Sequence, residues 1–320
     1  LNPEGAKNMS LQSSQTENWF VTTFYKFKKQ ENLNQIQALL EQKAAEFQIE
    51  GLLILGPDGI NSTCASKSAQ GLESFKSFIR DLLQDQTLMF KDSTSPIKPF
   101  QRFKVKQRPE IVTTGAPDLF PNLETNHHLS PEEWDRVIRE EDVLVIDTRN
   151  WYESAIGTFK GALTPPIEQF REFPEWLDKQ DFAKDKKMLI FCTGGIRCEK
   201  GIYELQRRGY ENVWQLEGGI LNYLKEKPNQ LWQGECFVFD QRVAVDQNLQ
   251  PSQTYKLCPH CGQPAKTQIE CARCDEPAHV CEACLKLDFK KETCSKNCAH
   301  FYQLYPGRKG KHQVRSFKQS

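Results

Sequence analysis

An apolar run, Met188-Leu189-Ile190-Phe191, ends on Cys192, and Thr193-Gly194-Gly195-Ile196-Arg197 turns the chain before a helical pattern runs from Cys198 to Arg208. A short apolar strand delivered through a glycine-bearing turn into a helix belongs to a parallel sheet covered by helices. Val143-Leu144-Val145-Ile146-Asp147 and Val213 to Leu216 are further apolar strands, and helical patterns lie between them. Sites in such sheets form at the carboxyl ends of the strands, where Cys192 stands. Gly194 and Gly195 let successive backbone N–H groups converge on one point, and Arg197 keeps its charge at any physiological pH. A thiol at a helix N-terminus beside an arginine is acidified. The alternative is an inert core cysteine, a common fate for that residue.

A different pattern precedes this unit. Phe20 to Tyr25 alternates as a strand, and Leu33, Ile36, Leu40, Ala44 and Phe47 recur at helical spacing. Gly51 to Leu55 reads as a buried strand, Pro57-Asp58-Gly59 as a turn and Ile60 to Ala65 as the return strand. Leu72, Phe75, Ile79 and Leu82 mark a second helix, and a last strand is expected within Phe100 to Val105. The order is βαββαβ, a ferredoxin-like sheet with two helices on one face, over residues 18–111. Residues 112–129, rich in Pro, Thr, Asn and Gly, read as a linker. Ser130-Pro131-Glu132-Glu133 then opens a helix with an N-cap, a proline at N1 and a capping-box glutamate. The parallel α/β unit is expected over residues 130–230.

The chain has twelve cysteines among 320 residues and lacks the pattern of a secretory signal, so metal or redox use in a reducing, cytoplasmic compartment is expected. Eight of them form Cys258-x-x-Cys261, Cys271-x-x-Cys274, Cys281-x-x-Cys284 and Cys294-x-x-x-Cys298. Four metal-spaced pairs suffice for two tetrahedral four-thiolate zinc sites, structural because they leave no open position. The pairs can combine sequentially or as a cross-brace, and His260, His279 or His300 could replace a cysteine. Residues 231–305 thus read as a small Cys-rich module, followed by a basic tail over 306–320. That tail is either a solvated terminus or an RNA contact. Residues 1–17 read as an expression remnant and a disordered start. Lysine plus arginine balance aspartate plus glutamate at 42 each, so no global field advertises nucleic acid. No apolar run is long enough for a membrane span, and no flavin or nicotinamide fingerprint appears.

Cys192-Thr193-Gly194-Gly195-Ile196-Arg197 resembles the Cys-x-x-Gly-x-Arg loop of rhodanese-type sulfurtransferase domains. Asp147-Thr148-Arg149 with Glu153 and Gly157, and Leu216-Glu217-Gly218-Gly219-Ile220, resemble the blocks that flank it. The six-residue length is that of sulfur-transferring members rather than the related phosphatases, which implies a cysteine persulfide cradled by loop amides. With Asp58 to Thr63, Cys198-Glu199-Lys200, the block from Gly234 to Val245 and the Cys-rich end, the chain resembles the oxygen-dependent tRNA uridine hydroxylases. That resemblance implies hydroxylation of uridine 34 to 5-hydroxyuridine, molecular oxygen as co-substrate and the tRNA anticodon region as partner.

Cys198 is either a small packing residue or a redox partner that forms a disulfide with Cys192. Ordinary rhodaneses need no such thiol, which favours redox chemistry. Asp147 and Arg149 are either an ion pair locking a strand end or residues that orient the loop. Cys64 and Cys236 read as packing residues. Lys26, Lys28, Lys29, Lys98, Arg102, Lys104, Lys106 and Arg108, interleaved with aromatic residues, suit either an RNA surface or a solvated sheet edge. The expected enzyme is an oxygen-dependent tRNA uridine hydroxylase acting through Cys192, Arg197 and Cys198, with a sulfur or electron donor protein as a further partner. The alternatives are a persulfide or thiosulfate sulfurtransferase and a zinc-dependent RNA-binding protein with an inactive rhodanese domain.

Overall fold

The computed structural model describes residues 18–115, 119–121 and 127–310; the expected start over residues 1–17 and most of the basic tail lie outside them. The first unit comprises β1 (Trp19–Phe27), α1 (Leu33–Glu46), β2 (Glu50–Gly56), β3 (Gly59–Ser66), α2 (Ala69–Leu83), β4 (Lys91–Ser95) and β5 (Phe103–Gln107). They form one sheet in the order β4-β1-β3-β2-β5. Phe24, Leu53, Leu55 and Val105 pack with Leu40, Phe75 and Ile79 of the helices, so α1 and α2 cover one face of the sheet. The turn before β3 needs Gly59, since its φ is +144° and a Cβ there would lie 2.0 Å from the Lys26 carbonyl oxygen.

One expected strand has a different place. The strand that completes the ferredoxin-like order is β4, antiparallel to β1, whereas β5 is a fifth strand parallel to β2 on the opposite edge. Lys91-Asp92-Ser93-Thr94-Ser95 contains no apolar residue and carries no alternation. Polar partners hold it instead: Thr22 donates to Asp92 at 2.6 Å and Lys76 pairs with Asp92 at 2.8 Å.

The second unit contains β6 (His127–Leu129), α3 (Pro131–Glu140), β7 (Val143–Asp147), α4 (Trp151–Ser154), β8 (Gly157–Phe159), α5 (Phe173–Asp178), β9 (Lys187–Phe191), α6 (Ile196–Gln206), β10 (Val213–Leu216) and α7 (Gly219–Glu226). The parallel sheet runs β6-β10-β9-β7, and the expected capping box at Ser130 and Glu133 opens α3. His127–Leu129, placed by composition in the linker, is the edge strand paired with β10. Its three residues are too few for a periodic signal.

The core of this unit also extends past residue 230. Trp232, Cys236, Val238, Val245 and Leu249 are buried with Phe159 and Tyr223, and β11 (Trp232–Gly234) pairs with β8. Cys236 is fully buried in that core, and Cys64 in the first, as packing residues are. The cysteine-bearing hairpins follow only after about residue 255. Among the described residues no helix is long and apolar enough to cross a membrane.

Candidate active site

Cys192 stands at the end of β9, and its exposure is only 1%. Gly195, at φ +98°, turns its amide toward the sulfur, donating at 3.1 Å, and α6 begins at the next residue. Burial opposes ionisation of this thiol. The proton of the adjacent Cys198 thiol, the Arg197 charge and the amides of Arg197 and Gly195 outweigh burial and bring its pKa down to about 5. Cys198 is pushed the other way, well above the ordinary thiol value, by burial and then by the negative sulfur beside it. It lies in the same buried cluster as Cys192, with the Thr148 hydroxyl 3.7 Å from its sulfur. At neutral pH the two form a thiolate next to a protonated thiol.

Arg197 is held by a residue that the motif alone does not reveal as a partner. Its guanidinium binds Glu153 in bidentate fashion at 2.6 and 2.9 Å, and it donates to Thr193 Oγ1 at 3.3 Å. Glu153 is completely buried and also accepts from the Asn150 amide. The pair fixes Arg197 beside the loop, and its geometry has the fork-to-carboxylate form that makes buried pairs strong. Gly219 closes the cradle from beneath. Its φ is +68°, and a Cβ there would come within 2.5 Å of the Cys192 carbonyl oxygen, which accepts the Ile220 amide at 3.0 Å. Thr193 accepts the next amide through its own carbonyl, and Gly194 and Ile196 line the cleft above the sulfur.

Asp147 and Arg149 form the expected ion pair at the end of β7. Arg149 donates to both oxygens of Asp147, at 2.9 and 2.7 Å, and to the Gly157 carbonyl at the end of the sheet. Both side chains are fully buried, and Arg149 stacks over Trp232. Thr158 of β8 donates to Asp147 at 2.9 Å, and the Arg149 guanidinium also lies 6.0 Å from the ring of Phe191, the residue before Cys192.

The first unit covers the loop. A Cβ on Gly194 would sit 3.8 Å from the Thr23 methyl, an ordinary contact, whereas a Cβ on Gly195 would lie 2.9 Å from the Tyr25 hydroxyl, and with φ at +98° that position favours glycine. Tyr25 donates to Glu199 at 2.9 Å, and His128 lies 3.4 Å from the same oxygen. Lys200, completely buried, pairs with Glu110 at 2.7 Å and Asp58 at 3.3 Å. Glu199 and Lys200 therefore lock the first turns of α6 to the ferredoxin-like unit. Lys91 is buried with its ammonium over the Tyr25 ring at 4.6 Å. Burial pulls its pKa down to about 8, against the opposing pull of Cys192 and Glu199. Lys91 carries no sequence signal, because its strand is polar and its partners are about 100 residues away.

Between the two units lies a cleft of about 420 Å³, with Cys192, Thr193 and Arg197 at its floor. Leu52, Ile54 and Asn61 of the sheet form one wall, and Phe170, Arg171 and the exposed Phe239 another. The volume falls in the range of small-molecule sites, about 300–1,000 Å³. Phe239 belongs to the block from Gly234 to Val245, which is clamped to the first unit. The Gln241 amide donates to the Pro99 carbonyl at 3.0 Å, and Arg242 donates to Ser93 at 3.1 Å.

The C-terminal cysteines resolve the pairing left open by their spacing. Cys258, Cys261, Cys281 and Cys284 form one cluster, and Cys271, Cys274, Cys294 and Cys298 the other, each with all four sulfurs within 4.8 Å of one another. This is the cross-brace, first pair with third and second with fourth. Among the described residues no histidine joins either set, and His260 bonds instead to the Thr293 carbonyl at 2.8 Å. Sulfurs of Cys261 and Cys281 stand 3.4 Å apart, and those of Cys294 and Cys298 3.7 Å. Such separations fit four thiolates about 2.3 Å from a shared ion and are far longer than a disulfide. Each cluster could hold a metal ion.

Three family descriptions match successive stretches: a UPF0176 acylphosphatase-like domain over residues 19–111, a rhodanese-like domain over 130–226 and a rhodanese C-terminal domain over 233–299. A Bdellovibrio bacteriovorus protein named tRNA uridine(34) hydroxylase is 58% identical over 306 residues, covering 95% of this chain and 87% of that protein. The chain belongs to the tRNA uridine(34) hydroxylase family. Members from Synechocystis sp. and Rhizobium leguminosarum are 42% and 41% identical over 76% and 77% of the chain, covering 87% and 80% of their own lengths. Among solved structures, a rhodanese-like domain protein from Staphylococcus aureus aligns with 30% of this chain and 90% of its own, at 26% identity and a TM-score of 0.27.

Proposed function

We propose that this family member hydroxylates C5 of uridine 34 in tRNA with molecular oxygen, and that Cys192 and Cys198 act as its reactive dithiol. The observation that carries the reading is an acidified thiol, Cys192, at the floor of the cleft, with the protonated thiol of Cys198 buried in the same cluster behind it. The electron balance closes on these residues. The uridine C–H becomes C–OH with one oxygen atom, the second oxygen atom leaves as water, and the thiolate and thiol give two electrons as they form a disulfide, with one proton from Cys198 and the other from solvent. A thiol or electron-donor protein then reduces that disulfide by exchange. Arg197 and the loop amides hold negative charge on the Cys192 sulfur, and Glu153 keeps Arg197 in place. The two cysteine clusters, as structural zinc sites, stabilise the module without taking part in the reaction.

Mass spectrometry of tRNA nucleosides after incubation with the protein under air and under nitrogen tests the reading. A gain of one oxygen on uridine that requires air supports it. A gain of sulfur would assign the loop to persulfide transfer, and product formation by Cys192→Ala equal to that of the unaltered protein would remove the loop from the chemistry.

A further inference from the structure

The face of the ferredoxin-like sheet opposite α1 and α2 carries two rows of side chains that begin at the Cys192 loop and end on cations. Pairing of the strands sets Lys91, Thr23, Thr63, Leu52 and Lys104 side by side across all five strands. The next row joins Tyr25, Asn61, Ile54 and Lys106. Side chains directly opposite one another in a ladder share a face. Thr23, Tyr25, Leu52, Ile54 and Asn61 line the cleft together with Cys192, Thr193 and Gly194 of the loop. Arg102, Lys104, Lys106 and Arg108 alternate along β5 and its ends, on the face opposite Phe103 and Val105, which pack toward the helices.

These cations differ from the other basic residues of the unit. Lys26 is paired with Asp85, Lys98 with Glu50, and Lys28 donates to the Leu83 carbonyl. Among the described residues, no acidic partner lies within ion-pair distance of Arg102, Lys104, Lys106 or Arg108. Arg108 reaches into the cleft itself. Alternate residues of a strand repeat every 6.6 Å or so, of the same order as successive phosphates along a single strand. Three strand spacings of about 4.8 Å place Lys106 roughly 14 Å across the sheet from Tyr25, about two nucleotides from the loop.

We propose that the β5 edge, with Arg102, Lys104, Lys106 and Arg108, binds the phosphates of single-stranded RNA next to the nucleotide whose base enters the cleft. The inference rests on the tRNA reading above and names the surface that reading requires. Leu52 and Ile54 offer the strand an apolar floor between rail and cleft, and the rail supplies charge complementarity that the neutral chain as a whole does not.

The test is the salt dependence of anticodon stem–loop RNA binding by the full-length protein, followed by fluorescence anisotropy. Lys104→Gln/Lys106→Gln is expected to bind about tenfold more weakly and to lower the slope of log affinity against log salt by about 1.4, two single-strand phosphate contacts at about 0.7 each. Lys43→Gln, which removes a cation paired with Glu46 on α1, is expected to change neither. Restoring charge with Lys104→Arg/Lys106→Arg should return the slope. An unchanged slope and affinity in the double glutamine variant, with RNA still bound by the unaltered protein, overturns the rail alone. Equal weakening toward a fully paired RNA duplex overturns the single-strand assignment. Failure of the unaltered protein to bind the stem–loop at all overturns both the rail and the tRNA reading.

Discussion

The loop at Cys192 and the module beyond residue 255 use the same side chain to opposite ends. In the loop a single sulfur faces amide donors, a guanidinium and one protonated thiol, and all of these favour its negative charge. In the module each sulfur faces three other sulfurs, an arrangement whose like charges need a shared cation. A cysteine becomes reactive when its neighbours can stabilise one thiolate, and structural when its neighbours are themselves thiolates. The comparison also separates what each region costs to disturb: the loop should lose chemistry, the module should lose fold.

The largest expected effect is on chemistry. Cys192→Ser should lower formation of hydroxylated uridine by on the order of a thousandfold or more, measured by nucleoside mass spectrometry, while thermal unfolding stays close to that of the unaltered protein. Retained activity would break the contrast at its first term. In the module, Cys281→Ser should reduce bound zinc from two ions per chain to one, by elemental analysis, and make the last 65 residues open to limited proteolysis. Unchanged metal content would show that the clusters are not the sites.

Glu153→Gln sharpens the contrast from within the loop. It leaves Arg197 with a buried charge and no carboxylate, and stability should fall by about 3–5 kcal/mol in urea unfolding. The smallest effect is a shift in acidity. Alkylation requires the thiolate, so labelling of Cys192 should be at its plateau at pH 7 and decline only as pH falls toward about 5. Cys198→Ala removes the proton that the neighbouring thiol offers, and the midpoint should move upward. The same titration in Cys281→Ser should leave the Cys192 midpoint in place.

The sequence made the reactive loop legible because its parts are contiguous: strand, thiol, glycine turn, arginine and helix lie within about twenty residues. It made the metal ligands legible through spacing, but not their partnership, since the cross-brace joins pairs separated by another pair. Lys91 and Tyr25 gave no sign of their place at the site, because docking of two units brings them to the loop. The polar strand β4 was hidden for a related reason, as its stabilising contacts are side-chain pairs with α2 and β1 rather than an apolar pattern. The absorption of Trp232, Cys236 and Val245 into the second core was obscured by the composition change near residue 231, which marks the approach of the cysteines rather than the end of a core.

A single-turnover reaction of prereduced protein with tRNA under labelled oxygen gas, without added reductant, tests the dithiol account most directly. The prediction is one labelled 5-hydroxyuridine per protein chain, matched by one Cys192–Cys198 disulfide in the peptide map. Labelled product formed while both thiols remain reduced, or product carrying oxygen from water, would contradict it.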